Sequence, residues 1–368
     1  MAVTFAEKLA RMPGYQAGVP TGQAPEAIAA GKIAQLASNE SPFPPHPKVV
    51  EAIASAAAAM NRYPDPDATL LRQRIAERFD TDPARVAVGN GSCEILLAAA
   101  VALLEPWNEL VYAWPSFSIY PHLDGVTDAK AVRVPLGERY VHDLDAMLGA
   151  ITDQTRLLIV CNPNNPTSTY LPSETVAGFL EEVPERVLVI LDEAYIEFQT
   201  VEDPHTSIDL LRRFPNLAIL RTFSKVYGLA GLRVGYALGP EQFVHAVNAV
   251  RQPFTVNHLA EVAAIEALRH QDDVARRVEW NTVERLWMEE ELAELGFDVA
   301  ESQANFCWVG LGDLDEGEVM AALGRAGVAV RPGRGLGGPG HLRITYGTRA
   351  ENERFIEALR DCLQSNGR

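Results

Sequence analysis

The run Val187-Leu188-Val189-Ile190-Leu191 is apolar at every position and leads directly into Asp192-Glu193-Ala194-Tyr195. A strand with one wet face alternates apolar and polar residues, so an unbroken run means a strand covered on both faces. Comparable runs recur at Val86-Ala87-Val88, Leu110-Val111-Tyr112-Ala113, Leu157-Leu158-Ile159-Val160 and Leu217-Ala218-Ile219-Leu220, with helical patterns between them. That alternation predicts the α/β class, a mostly parallel sheet with helices on both sides. In such sheets ligand groups gather beyond the carboxyl ends of the strands. The polar residues that follow each run are therefore the first candidates for chemistry.

Working outward, residues 1–44 are rich in Pro and Gly and read as an irregular arm. A helix is expected from His46 to Met60, with Pro47 near its start. Arg62-Tyr63-Pro64-Asp65-Pro66-Asp67 reads as a turn, because each Pro disfavours helix before it. Further helices are expected over about Ala68–Phe79 and Glu94–Leu104. After Pro253 the pattern changes to one long helical stretch from about Ala260 to Leu295, with Glu289-Glu290-Glu291 on a solvated face. There follow a strand over Asn305–Val309, a helix near 316–326, the apolar Val328-Ala329-Val330, a strand around Leu342–Thr345 and a closing helix from Glu351 to Leu363. The division predicted is an arm over 1–44 that contributes to the smaller domain, a large domain over 45–250, and a small α+β domain over 251–368.

With 368 residues, 47% hydrophobic and 22% charged, the chain has the composition of a soluble globular protein long enough for two domains. No apolar run approaches the roughly 20 residues of a membrane span, and the amino terminus lacks the pattern of a signal peptide. Four scattered cysteines form neither a disulfide framework nor a metal motif, so a reducing, cytoplasmic setting is expected. The formal charge of −17 argues against nucleic acid as a partner. A small anion remains compatible with local arginines and helix amino termini.

The strand-end residues form a consistent set. Thr222-Phe223-Ser224-Lys225 and the later Arg233 place an amine, two hydroxyls and a guanidinium within a short segment. A lone Ser-Lys pair is usually just a surface loop. A lysine near other cations can instead be a nucleophile held in a Schiff base with pyridoxal phosphate, beside the cofactor's phosphate. Gly89-Asn90-Gly91-Ser92-Cys93 opens a helix whose free N–H groups suit a phosphate, although such turns are often merely structural. Asp192 can pair with a protonated pyridine nitrogen or simply cap a helix. Asn165, in Asn162-Pro163-Asn164-Asn165-Pro166-Thr167, and Tyr195 can donate to a phenolate oxygen. Arg343, in an apolar strand, faces either an anion or a structural partner, and Arg331 and Arg334 are close enough in sequence to enlarge an anion site.

In this order, Asn165-Pro166-Thr167, Asp192-Glu193-Ala194-Tyr195, Ser224-Lys225, Arg233 and Arg343 resemble the fold-type I aminotransferases. Within them the pattern is most similar to the histidinol-phosphate aminotransferase family, with Ser38-Asn39-Glu40-Ser41-Pro42, Arg62-Tyr63-Pro64-Asp65, Pro115-Ser116-Phe117 and Arg331-Pro332 also matching. The resemblance covers about Pro13 to Leu363 and implies a mostly parallel seven-stranded sheet, pyridoxal 5'-phosphate and a homodimer with shared active sites. By position it implies Lys225 as the Schiff-base and proton-transfer residue and Asp192 at the pyridine nitrogen, with Asn165 and Tyr195 at the phenolate oxygen. Ser92, Cys93 (through its backbone), Thr222, Ser224 and Arg233 fall at the phosphate, and Phe117 on the ring. Tyr63 would reach the partner subunit's cofactor phosphate. Arg331, Arg343, Asn39 and Tyr15 would serve the substrate, and no metal is expected. The leading activity implied is transfer of the amino group of histidinol phosphate to 2-oxoglutarate. An aromatic-amino-acid aminotransferase, with Phe117, Trp114 and Tyr15 lining its pocket, is the alternative. Phosphothreonine decarboxylation and a silent scaffold are more remote.

Three positions depart from the family pattern. Cys93 stands where Asp is common, Ser168 where Gly is usual, and Phe117 where Tyr is more frequent.

Overall fold

The structure is a computed structural model that describes residues 3–5, 8, 12 and 33–365. In chain order the strands are β1 (Ala34–Gln35), β2 (Val86–Gly89), β3 (Glu109–Trp114), β4 (Lys130–Pro135), β5 (Thr155–Cys161), β6 (Leu188–Asp192) and β7 (Leu217–Thr222). They continue with β8 (Gly235–Leu238), β9 (Asp298–Val299), β10 (Phe306–Gly310), β11 (Val328–Ala329), β12 (Arg331–Pro332) and β13 (His341–Thr345). Seven strands form one sheet in the order β2-β8-β7-β6-β5-β3-β4, parallel except for β8, which runs against both neighbours.

The continuous apolar runs are explained by where alternate residues go. Leu158, Val160, Val189, Leu191, Leu217 and Ile219 join a core on one face, while Ile159, Ile190, Ala218 and Leu220 join a core on the other. Successive side chains of a strand point to opposite faces, so two apolar layers require apolar residues throughout. β4 and β8 lack long runs and were not anticipated. β4 is an edge strand with Lys130 and Arg133 exposed, and β8 is a short, fully buried strand behind a glycine-rich turn.

A second sheet, β12-β13-β10-β9, is antiparallel. One of its faces is uniformly apolar: Cys307, Val309, Leu342 and Ile344 pack with Met288, Leu292, Leu323 and Phe355 in a separate core, while the other face mixes Phe306 and Trp308 with polar residues. Arg343 and Thr345 alternate with those residues and point the other way. β1 pairs in parallel with β11, and Ala34 and Leu36 join the same separate core. The segment read as an irregular arm thus ends in a strand of its own.

Two further expectations are corrected. The helical stretch from 260 to 295 is two helices, His258–Ala267 and Gln271–Glu294, broken at His270 (φ −109°, ψ 59°). The first packs Ala260, Ala263, Ala264 and Ala267 on the large sheet's core, whereas the second carries Met288 and Leu292 to the smaller one. The second helix also reaches the large core near its start, through Val274 and Val278. Nor is the acidic triplet fully solvated: Glu289 accepts from Tyr346 Oη at 3.4 Å and Glu291 pairs with Arg360, leaving Glu290 exposed. Among the described residues no helix is long and apolar enough to cross a membrane.

Candidate active site

A cavity of about 310 Å³ opens where the carboxyl ends of β5, β6 and β7 meet the polar face of β12 and β13. Its lining includes Ser92, Cys93, Phe117, Asn165, Asp192, Tyr195, Thr222, Ser224, Lys225, Arg233, Arg331 and Arg343. Residues spread over 252 positions of sequence therefore converge on one volume.

Asp192 ends β6 and is 2% exposed. Its Oδ2 accepts from Tyr120 Oη at 2.9 Å, while Oδ1 is buried with no hydrogen-bond partner. Burial lifts the carboxyl to about 6, against hydrogen bonding from Tyr120 and the Ala194 backbone that favours the charged form. A buried carboxylate oxygen left open in this way calls for a cationic or N–H partner in the cavity.

Lys225 lies past the end of β7. Its Nζ donates to the Ser38 carbonyl at 3.1 Å and stands 5.5 Å from the centre of the Tyr195 ring. Burial, with Arg343 adding repulsion, pulls its pKa down to about 8. An amine with this pKa has a substantial uncharged, nucleophilic fraction near neutral pH.

Tyr195 is a directed donor. Its Oη receives Asn39 Nδ2 at 3.0 Å and Asn165 Nδ2 at 3.3 Å. With both lone pairs engaged, the phenol proton is left to point to another acceptor. Asn165 also accepts from Arg343 Nη1 at 2.7 Å, and Arg343 Nη2 donates to the Ala37 carbonyl at 2.6 Å. Arg343 is thereby anchored from two sides within the lining of the cavity. Arg331, its register partner across β12 and β13, is 7% exposed and lines the cavity as well.

The opposite end is an anion cradle. Gly91 (φ +76°) caps the helix Ser92–Leu103, whose first N–H groups have no partner within the helix. A Cβ on Gly91 would stand 2.2 Å from Arg233 Nη2, and one on Gly235 would stand 2.5 Å from the Ser92 nitrogen. Glycine at 235 lets the two backbones approach, and glycine at 91 leaves room for the Arg233 guanidinium. Arg233 is held at φ 58°, with Nη1 donating to Ser224 Oγ at 3.3 Å, and Thr222 Oγ1 accepts from the Ser224 nitrogen at 3.0 Å. A non-glycine residue in the left-handed region costs roughly 1–2 kcal/mol, a strain often found at functional sites.

Some expected residues lie elsewhere. Asn39 is 1% exposed and outside the cavity lining; rather than facing a substrate it props Tyr195 and bonds Thr345. Arg334 is exposed on the surface, its backbone N–H bonded to Glu316, so it does not enlarge the anion site. Trp114 packs under Gly337 and Arg133 rather than in the cavity. Tyr63 is 82% exposed and stacked on Phe254 at 4.6 Å, away from this chain's own cavity. Tyr15 lies outside the described residues. Ser168 keeps the left-handed conformation (φ 62°) that a glycine would favour, so the turn is retained at a cost.

Sequence reasoning missed Tyr120, whose signal was available: a phenol at the buried start of a helix must find an acceptor. It also assigned no role to the Ser38 carbonyl, for which no side-chain pattern exists.

Residues 31–359 match the family model described as aminotransferase class I and II. The chain is 46% identical over 338 residues to an aromatic amino acid aminotransferase of Thermobifida fusca, covering 91% of this chain and 92% of that protein. It is 42% identical over 368 residues to histidinol-phosphate aminotransferase 2 of Ralstonia nicotianae, covering 99% and 98%. Among solved structures, the histidinol-phosphate aminotransferase of Sinorhizobium meliloti in complex with pyridoxal-5'-phosphate aligns with a TM-score of 0.87 at 28% identity, over 99% of each chain.

Proposed function

Because the chain belongs to the class I and II aminotransferases, enzymes that use pyridoxal phosphate, we propose that it moves the amino group of an aromatic L-amino acid to 2-oxoglutarate. The residues present fit the cofactor. The open Asp192 Oδ1 suits the pyridine N–H, and the Gly91, Ser92, Thr222, Ser224 and Arg233 cradle suits the phosphate. The Tyr195 proton and the Asn165 amide suit the phenolate oxygen, and Phe117 the ring. When bound, pyridoxal phosphate supplies an electrophilic carbon and a ring that withdraws electrons from the substrate's Cα.

The observation that carries the choice of donor is the position of Arg343. It is held on Asn165 and is close enough to Lys225 to lower that amine's pKa. An anion on Arg343 therefore sits beside the carbon whose proton Lys225 removes, the place of an α-carboxylate. An aromatic amino acid carries such a group; histidinol phosphate bears its phosphate farther from the amine-bearing carbon. Ile119, Leu336 and Phe117 supply apolar lining for an aromatic side chain. Arg331 then serves the second carboxylate of 2-oxoglutarate. Lys225, in its uncharged form, accepts the Cα proton. Burial of Asp192 and Tyr195 keeps bulk water from competing for their hydrogen bonds.

Histidinol phosphate is the second reading, favoured by Arg331 beside Arg343 as a phosphate partner and by the Ralstonia relative. Comparing kcat/KM for phenylalanine, tyrosine and histidinol phosphate with 2-oxoglutarate separates the two. A preference for the aromatic donors of tenfold or more, about 1.4 kcal/mol, is expected, and the reverse preference overturns the assignment. On the same reading the enzyme is a homodimer, with Tyr63 of each chain at the other's phosphate cradle. A monomer by sedimentation would remove that role.

A further inference from the structure

Arg221 precedes Thr222 on β7 and points to the opposite face of the sheet, where a second cavity of about 530 Å³ lies. Arg221 donates to Glu193 Oε2 from Nε at 2.9 Å and pairs with it through Nη2 at 2.8 Å, and Nη2 also reaches the Pro204 carbonyl at 2.6 Å. That pair is buried and joined by two contacts, although Glu193 Oε1 keeps no hydrogen-bond partner. Arg78 in the same lining has no such carboxylate partner. Its Nη2 meets Gln271 Oε1 at 2.6 Å and His205 Nε2 at 3.1 Å, both on neutral groups, while its Nε is buried without a hydrogen-bond partner.

His205 stands between the two guanidiniums, with Arg221 Nη1 3.3 Å from its Nδ1. Burial and both arginines hold its pKa down to about 4, so the ring is neutral. A neutral imidazole accepts at one nitrogen only. One guanidinium N–H therefore faces a ring N–H, and the site has a donor to spare. Glu197, 8% exposed, lines the same cavity, and burial raises its carboxyl to about 7. Arg221 and, more weakly, Arg78 act electrostatically on Glu197, yet no ion pair joins Arg78 and Glu197 among the described residues. Beside this split charge pair, Val274, Val278 and Val283 of the helix Gln271–Glu294, together with Phe79, form an apolar wall.

We infer that this cavity binds a small zwitterion, an α-amino acid with an apolar side chain, with its carboxylate on Arg78, its ammonium on Glu197 and its side chain along Val274 and Val278. Opposite charges held apart beside an apolar wall match the layout of such a molecule and of few others. Glu193 and Arg221 directly adjoin Asp192 and Thr222, so an occupant bears on the same strand ends that carry the catalytic cavity.

The test is equilibrium dialysis of L-phenylalanine and L-leucine against holoenzyme whose cofactor has been reduced onto Lys225, with saturating 2-oxoglutarate filling the catalytic cavity. It needs no turnover, so it stands apart from the choice of donor above. One bound amino acid per chain is expected, weakened about tenfold or more by Arg78→Gln and by Val283→Trp. Val283 is 54% exposed at the rim, so its replacement fills the cavity without disturbing the core should Arg78→Gln fail to fold. 3-Phenylpropionate, lacking the ammonium, is expected to bind about tenfold more weakly than phenylalanine. No binding under these conditions, binding that neither variant weakens, or equal binding of 3-phenylpropionate overturns the inference.

Discussion

The two main sheets supply the catalytic cavity in different ways. The seven-stranded sheet carries an apolar core on each face, and the polar groups it gives this cavity sit at or past the strand ends: Asn165 after β5, Asp192 at the end of β6 with Tyr195 beyond it, Ser224 and Lys225 after β7. The four-stranded sheet has one uniformly apolar face and one mixed face, and from the mixed face it offers Arg343 and Arg331. Strand-end groups lie on the parallel scaffold and suit a cofactor that stays. Face groups lie on a separate core and suit a substrate that comes and goes. The two sets meet at the hydrogen bond from Arg343 to Asn165.

Lys225→Ala should have the largest effect, lowering kcat by about 10⁴-fold or more and abolishing the visible band of covalently held cofactor. Retention of that band would show that the strand ends do not carry the cofactor. Arg343→Gln should leave the band intact while kcat/KM for α-amino acid donors falls about 10²-fold, near 2.7 kcal/mol. Loss of cofactor in that variant would erase the distinction between the sheets.

The pH response links them. Lys225 has its pKa lowered to about 8, first by burial and then by Arg343, and only the uncharged amine attacks the cofactor. The rate at which pyridoxal phosphate reconstitutes the apoenzyme should therefore climb as pH rises through 8 and level off above it. In Arg343→Gln the midpoint should move upward, since one source of repulsion is gone. A profile flat from pH 6 to 9 in a stopped-flow measurement would contradict the burial of this amine. The smallest effect is expected from Ser168→Gly. Relief of the left-handed strain, roughly 1–2 kcal/mol, is offset by the greater freedom of unfolded glycine, roughly 0.4–1 kcal/mol. Thermal melting should show a gain of up to about 1 kcal/mol, with activity unchanged; a clear loss of stability would mean that the Ser168 hydroxyl, bonded to the Thr167 carbonyl, matters more than the backbone.

The same division explains what could be read in advance. An apolar run ending in a polar residue is a local pattern, and it located Asp192, Asn165 and Lys225 without any knowledge of contacts. Asn39 sits in a motif that matched the family equally well, yet it proved to hold Tyr195 rather than face the cavity. Which way its side chain points depends on Thr345 and Tyr195, residues far away in the chain. The break at His270 escaped notice for a related reason: the residues on both sides read as helical, and only the His270 backbone turns the chain between the first helix and the second, which runs from the large core to the smaller one.

By itself, then, the sequence determined the layered α/β scaffold, which polar residues stand at its strand ends and the family, because burial of both sheet faces and the residues beyond them are written in consecutive positions. Tertiary structure alone decided that Arg343 meets Asn165 and Lys225, that Arg334 stays outside, that Asp192 has one oxygen closed by Tyr120 and one open, and that Arg78 and Glu197 line one cavity without pairing. Those outcomes depend on how two separate cores dock and on which polar atoms are left over once nearby partners are taken, and neither is encoded in any short stretch of chain.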